Sequence, residues 1–367
     1  MKMRIKTSTF LSGLSKVNHV VNSKSPVHSL NGIYFKLEDT SLTLIGSDSD
    51  ITIKCIIDND LEIINTGSIV IPKFIVDITR KIDDEYLELE LIDETMLLVK
   101  SNNSEFKING ISTDNYPIID FAMNGDNLNL ESSMLKSIIS ETVFATSSEE
   151  IRPVLTGVNM SSNGSILTCV ATDSFRLAKK DIKLENLFEF KITVPSKCLN
   201  EVAKLLLDKQ ECKVYINQQR ILFDLGKIIV QSRLISGNYP DVSKLLPSSF
   251  GTVMELNKKH IESALDRATI MSLQSNYTVT IDGNMDKLTI SSKSQELGSI
   301  KENVDIVKFE GEPIILSFNS KYVSEALKSF NSEDVIFHFN GSMSPFIITN
   351  ENDDATSIQL ILPIKTY

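Results

Sequence analysis

Four histidines, His19, His28, His260 and His338, are the natural first candidates for chemistry in this chain. Two histidines spaced HExxH on one helix face would bind zinc, but none of the four falls in that or a similar metal pattern. GxSxG, P-loop and GxGxxG motifs are missing too, so acyl transfer, nucleotide hydrolysis and dinucleotide binding lack their usual scaffolds. The cysteines Cys55, Cys169, Cys198 and Cys212 are scattered, with no CxxC spacing. They read as buried or free thiols of a reducing compartment. Asp48 and Asp50, in Gly46-Ser47-Asp48-Ser49-Asp50, look briefly like a metal pair. Ala171-Thr172-Asp173-Ser174 carries the same turn chemistry, which favours a strand-connecting turn over an ion site. The residues thus argue against an enzyme, and they imply no cofactor and no metal.

Lysine on helices is the chemistry that remains. Three-to-four apolar spacing predicts six amphipathic helices, over residues 10–22, 73–82, 134–143, 197–206, 257–270 and 320–330. Together they hold 12 positive and 6 negative charges, a net of +6. The whole chain carries −11, so the remainder carries −17. Any single helix could keep lysines on a solvated face for no particular reason. Six helices that all escape an acidic background point to one common cationic surface. Lysines on such a surface meet phosphates as mobile point charges without reading bases.

The elements that must position these helices are repeated. Asp114-Asn115-Tyr116-Pro117 returns 123 positions later as Gly237-Asn238-Tyr239-Pro240. Pro72, in Ile69-Val70-Ile71-Pro72-Lys73, returns as Pro195, and one further step lands on Phe318. Three copies of about 124 residues fill the 367-residue chain. Strand signals dominate each copy: Ser41–Gly46, Tyr86–Ile92 and Ile228–Gln231 alternate or run apolar, with β-branched residues. The expected class is α+β, three similar β-rich domains with two helices each, over residues 1–120, 128–247 and 252–367. The connecting stretches, Ile118–Asn127 and Pro247–Gly251, are too short to act as tethers. The opening Met1-Lys2-Met3-Arg4-Ile5-Lys6 has no secretory signal character, and no apolar run approaches a membrane span. A cytoplasmic protein with no membrane partner is expected.

One set of residues carries a resemblance. Ala171-Thr172-Asp173-Ser174-Phe175-Arg176-Leu177-Ala178 is preceded by Arg152-Pro153-Val154-Leu155-Thr156-Gly157. It is followed by Tyr239-Pro240-Asp241 with Leu245-Leu246-Pro247, and the chain ends in Leu362-Pro363-Ile364-Lys365-Thr366-Tyr367. These stretches resemble the bacterial sliding clamp, the β subunit of DNA polymerase III, over the whole length. The resemblance implies a DNA clamp fold, in which a crescent of three domains dimerises head to tail into a six-domain ring around duplex DNA. It implies a processivity factor, not an enzyme. Expected partners are non-specific double-stranded DNA, a second copy of the chain, the replicative polymerase, the clamp loader and other proteins carrying a clamp-binding peptide. The alternative reading is a three-module β-rich interaction scaffold that never encircles DNA.

Residue by residue, the resemblance implies a peptide groove between the second and third domains. Its members would be Leu155, Thr172, Ser174, Phe175, Arg176, Leu177, Pro240, Leu245, Leu360, Leu362 and Pro363, with Met343 and Phe346 as weaker candidates. Phe175 departs from the family, which often has a histidine or another polar-tipped residue there; a phenyl ring makes that rim more apolar. DNA contacts would come from Lys24 and Arg152 on loops and from Lys73, Arg80, Lys136, Lys197, Lys204 and Lys321 on helices. The dimer seam would join Lys73, Phe106 and Ile108 of one copy to Ile270 and Met271 of the other, with Glu296 or Glu302 as charge partners. Lys73 thus has two competing roles, lumen and seam.

Overall fold

Alternation in the sequence becomes alternation in burial. The strand Tyr86–Leu91 reads YLELEL, and its Leu87 and Leu89 are buried while Tyr86 and Glu88 face solvent. The computed structural model describes residues 1–247, 249–273, 276–296, 298–350 and 356–365. Ser248 of the second connecting stretch and Thr366 and Tyr367 of the chain's ending lie outside the described residues.

The chain divides into two compact units. Met1–Leu135 with Lys197–Leu234 form one, and Lys136–Ser196 with Ile235–Tyr367 form the other. The first contains an antiparallel five-stranded sheet in the order Leu61–Asn65, Lys2–Lys6, Tyr86–Leu91, Met96–Lys100, Glu105–Asn109. It also contains an eight-stranded sheet to which the first and second sequence copies each contribute strands. The two sets meet where Ile228–Arg233 pairs antiparallel with Ile51–Ile57, Val230 lying opposite Ile53. The second unit repeats the device: its seven-stranded sheet is joined where Arg176–Pro195 pairs with Ser357–Ile361, Leu177 opposite Leu360. A four-stranded sheet completes it. The division runs through the middle copy because that copy lends strands to both joined sheets.

Six α-helices are present among the described residues, one at each expected place: α1 (Thr7–Asn18), α2 (Ile75–Arg80), α3 (Ser132–Thr142), α4 (Ser196–Leu205), α5 (Lys258–Ser272) and α6 (Ser320–Ser329). Each follows a strand, directly or within two residues, so the repeated unit is strand into helix. Asn257 and Asn319 cap α5 and α6 by accepting the His260 and Lys321 amides. In the first copy α1 packs on α2, and in the third α5 packs on α6. The α1 helix starts three residues before the predicted 10–22 and ends at Asn18. Val20 and Val21 extend the apolar rhythm but are buried from the loop that follows, so packing, not helix, explains them. Gly46 allows α1 to lie on the sheet: a Cβ there would sit 2.2 Å from the Val17 carbonyl oxygen.

The core of the third copy is aromatic. Phe318, Phe337, Phe339 and Phe346 are all buried, with ring centroids 5.5 Å apart for Phe318–Phe346 and for Phe339–Phe346. Phe346 is therefore core rather than groove, a correction to its weaker candidacy.

Candidate functional site

The turn at 172–176 organises the site. Asp173 Oδ1 accepts the amides of Phe175 (2.9 Å) and Arg176 (3.0 Å), and Thr172 Oγ1 accepts that of Ser174 (3.1 Å). Ser174 takes the left-handed conformation at φ 79°, which this side-chain network holds in place. The first copy builds the same turn: Asp48 Oδ1 accepts from Asp50 (3.1 Å) and Ile51 (2.8 Å), and Ser49 has φ 87°. Asp48 and Asp50 thus close a turn, as their sequence match to the second copy suggested.

From this turn the strand alternates and sorts the candidate residues onto two faces. Leu177 faces a buried apolar cluster with Leu155, Val170, Tyr239, Ile347 and Leu360. Val154, Val242, Leu246 and Phe250 pack against it. Gly237, at φ 123°, brings its segment within reach of Val154, a Cβ there lying 2.8 Å from Val154 Cγ1. The Tyr239 hydroxyl accepts the Thr172 amide at 3.1 Å, tying the Tyr-Pro segment to the turn. Burial pushes that hydroxyl's pKa well above the ordinary tyrosine value, while the Thr172 hydrogen bond pulls the other way.

Several of the candidate apolar side chains are reached by water. Phe175 is 60% exposed, Leu245 52%, Met343 58% and Leu362 37%. The Leu362 amide donates to the Phe175 carbonyl at 3.0 Å, so those two adjoin. Ser174 and Pro240 are exposed and Pro363 is half-buried. A buried apolar floor with an exposed aromatic and aliphatic rim suits the anchoring of a few apolar side chains from an extended ligand.

Arg176 goes the other way. In register it lies opposite Ile361, one residue before the Leu177–Leu360 pair, and its side chain is only 9% exposed. Nε donates to Asp173 Oδ2 (3.0 Å), Nη1 to Glu325 Oε2, and Nη2 to the Phe144 carbonyl (2.5 Å). The Tyr322 ring lies 4.5 Å and the Phe144 ring 5.3 Å from the guanidinium carbon. Burial raises the Tyr322 hydroxyl pKa, with Asp173 adding to the rise and Arg176 opposing it. Four residues on along the strand, Lys180 pairs with Glu141 at 3.1 Å, both side chains about 10% exposed. The sequence reading passed over Phe144, Tyr322 and Glu325. A signal existed for Glu325: a step of 124 residues superposes Lys73, Asp77 and Arg80 on Lys197, Glu201 and Lys204, and those on Lys321, Glu325 and Lys328.

The candidate DNA-facing cations divide by pairing. Arg80 binds Asp77 (3.1 Å), Lys204 binds Glu201 (2.8 Å), and Lys197 binds Asp48 of the first-copy turn. Among the described residues, Lys24, Lys73, Arg152 and Lys321 are exposed and make no ion pair within the chain. Lys136 is half-buried.

Of the seam candidates, Ile270 is 61% exposed at the end of α5 and Met271 half-buried. Phe106 lines a cavity of about 420 Å³ with Phe74, Ile78 and Ile82. Ile108 is 3% exposed; what its strand, the last of the five-stranded sheet, leaves open is a backbone edge. Glu296 is exposed. Glu302 accepts a two-point contact from Arg267 of its own chain, which holds its carboxyl below the ordinary pKa.

The three sequence copies are matched one by one in known proteins. The N-terminal, central and C-terminal domain models of the DNA polymerase III beta subunit match residues 1–120, 129–241 and 243–365. Beta sliding clamps of Staphylococcus epidermidis and Staphylococcus aureus are each 35% identical over 377 aligned residues, covering 100% of both chains. Among solved structures, the DNA polymerase sliding clamp of Bacillus subtilis matches with a TM-score of 0.96 at 33% identity. The DNA polymerase beta subunit of Streptococcus pyogenes matches with a TM-score of 0.95 at 32% identity. Each comparison covers 100% of both chains.

Proposed function

The chain belongs to the bacterial sliding-clamp family, the β subunits of DNA polymerase III, and from that premise we propose how its own residues serve a DNA processivity factor. Two copies close head to tail into a ring of six like domains, with domains bounded at 1–120, 128–247 and 252–367. The helices of each copy line the hole. Their net positive charge, in a chain of net −11, supports this placement. Lys24, Lys73, Arg152 and Lys321 make the first phosphate contacts, and Lys136 adds to them. Arg80, Lys197 and Lys204 exchange their carboxylate partners for phosphate. Such contacts are weak and ion-exchanging, so the ring slides while topology keeps it on the duplex.

The groove floored by Leu155, Leu177 and Leu360 takes a short peptide from the polymerase, the loader and other partners. Thr172, Ser174, Phe175, Pro240, Leu245, Met343, Leu362 and Pro363 make its rim. Family members act as processivity factors, and no catalytic role is assigned to this chain. Among the described residues no helix is long and apolar enough to cross a membrane; we place the protein in the cytoplasm with its DNA. The alternative, a scaffold that never encircles DNA, gives no reason for cationic helices in an acidic chain.

The observation that carries this reading is the end-to-end match of three clamp domains. The experiment is topological. The protein is loaded by its loader onto nicked circular DNA, and the circle is then cut. A ring that holds by topology leaves through the new ends, so retention after gel filtration drops at least tenfold on linearisation. Equal retention before and after cutting would rule out encirclement and leave the scaffold.

A further inference from the structure

We propose that Glu325 is a positioning residue for the peptide groove: through Arg176 it fixes the 172–176 turn on which the groove's rim is built. This rests on the groove reading above. The geometry is that of a latch. Arg176 leaves the strand on the face opposite Leu177, and its three guanidinium nitrogens bond Asp173, Glu325 and the Phe144 carbonyl. It is 9% exposed and flanked by two aromatic rings, so it is held inside the fold rather than offered to a ligand. Asp173 is the residue that shapes the turn, because its other oxygen accepts the Phe175 and Arg176 amides. Arg176 binds Asp173 on one side and Glu325 of α6 on the other. The rim residue Phe175 is the tip of that turn and is 60% exposed, its backbone bonded to Asp173 and to the Leu362 amide.

Glu325 is therefore the part of the latch contributed by the third sequence copy to a turn made by the second. Its side chain is 32% exposed, at the border of the site rather than deep inside it. Removing its charge leaves Arg176 with one carboxylate and a carbonyl, still desolvated. The turn then has freedom to move, and a ligand must supply the ordering cost when it binds. Affinity should fall through faster dissociation, with the folded chain and its assembly intact.

The chain contains no tryptophan, which makes the test direct. Phe175→Trp installs a single reporter at the rim and serves as the parent protein. Glu325→Gln and Glu325→Asp are made in that background, alongside Leu362→Asp, which puts a charge on the rim itself. A fluorescein-labelled peptide carrying the clamp-binding segment of a replicative polymerase is the probe. Expected are a roughly tenfold weaker Kd for Glu325→Gln and recovery to within about threefold of the parent for Glu325→Asp. Without peptide, the anisotropy of the introduced indole should fall in the Gln variant and be restored in the Asp variant. Unchanged affinity in Glu325→Gln, or equal losses in Gln and Asp variants with no change in anisotropy, overturns the proposal. Leu362→Asp separates the two readings. If it abolishes binding while Glu325→Gln leaves affinity unchanged, the groove stands and the latch falls; if it binds like the parent, the groove itself is misplaced.

Discussion

His338 illustrates how one half-buried side chain makes a testable demand. Its Nε2 is 2.9 Å from Thr349 Oγ1, and its ring lies 4.8 Å from that of Phe250, which packs against the groove's floor. Burial lowers its pKa. An unfolded histidine takes its proton near pH 6.5, so below about that value the unfolded chain binds more protons than the folded one. Stability is therefore unaffected above about pH 6.5 and falls as pH descends through the depressed folded value. The glutamine variant His338→Gln does not titrate there. The gap in melting temperature between wild type and His338→Gln should be constant above pH 7 and change in the variant's favour by pH 5.5. A gap that stays the same at every pH would mean that His338 is not held neutral by its surroundings. Residue chemistry was legible in the sequence where it was local. The Asp48 and Asp173 turns could be matched because their hydrogen bonds run only two or three residues along the chain. The 124-residue step marks Glu325 as a repeated acid on a helix but not its partner, because Arg176 is 149 residues away and an acid on a helix looks like solvated surface.

At the scale of elements, α1 lies close against its sheet. The Val17 carbonyl sits where a Gly46 side chain would be, and backbone cannot yield as a flexible side chain can. Gly46→Ala should cost about 3 kcal/mol, the upper part of the usual overpacking range. Hydrogen exchange should show it as faster exchange of α1 amides with those of α5 unchanged; equal protection of α1 in both proteins would refute the close approach. All six helices were readable because each buries one apolar face at helical spacing, which tertiary packing then stabilises. Their ends were not. Val20 and Val21 keep the spacing yet are buried from a loop, and burial, not backbone geometry, is what periodicity detects. Strand existence was readable from alternation, which also puts the neighbours Arg176 and Leu177 on opposite faces; register was not readable, and register set Leu177 opposite Leu360. The segments named for the groove do approach one another, while the direction of Arg176 needed the pairing with Ser357–Ile361.

For the whole molecule, the proposed ring needs a seam that a single chain leaves uncovered. Ile270 is a large apolar side chain 61% exposed at the end of a helix, and Phe74 is 47% exposed beside the cavity that Phe106 lines. Apolar surface of this kind in an otherwise acidic chain is what a second copy would cover. A closed two-subunit ring has two equivalent seams, so every seam substitution acts twice. Ile270→Asp alters nothing inside the folded chain, since the side chain is already in water, but buries an unpaired carboxylate in each seam at a cost of several kcal/mol. In sedimentation velocity across a dilution series, the wild type should run as a dimer where Ile270→Asp runs as a monomer. The variant should also leave nicked circular DNA before any cut is made, because an open crescent has no topological hold. Leu187→Asp, 78% exposed in the long hairpin of the second copy, is the control and should behave as wild type in both measurements. If Ile270→Asp sediments as a dimer and stays on uncut circles, the seam lies elsewhere, and the uncovered faces around Phe74 and Phe106 must be explained by a different partner.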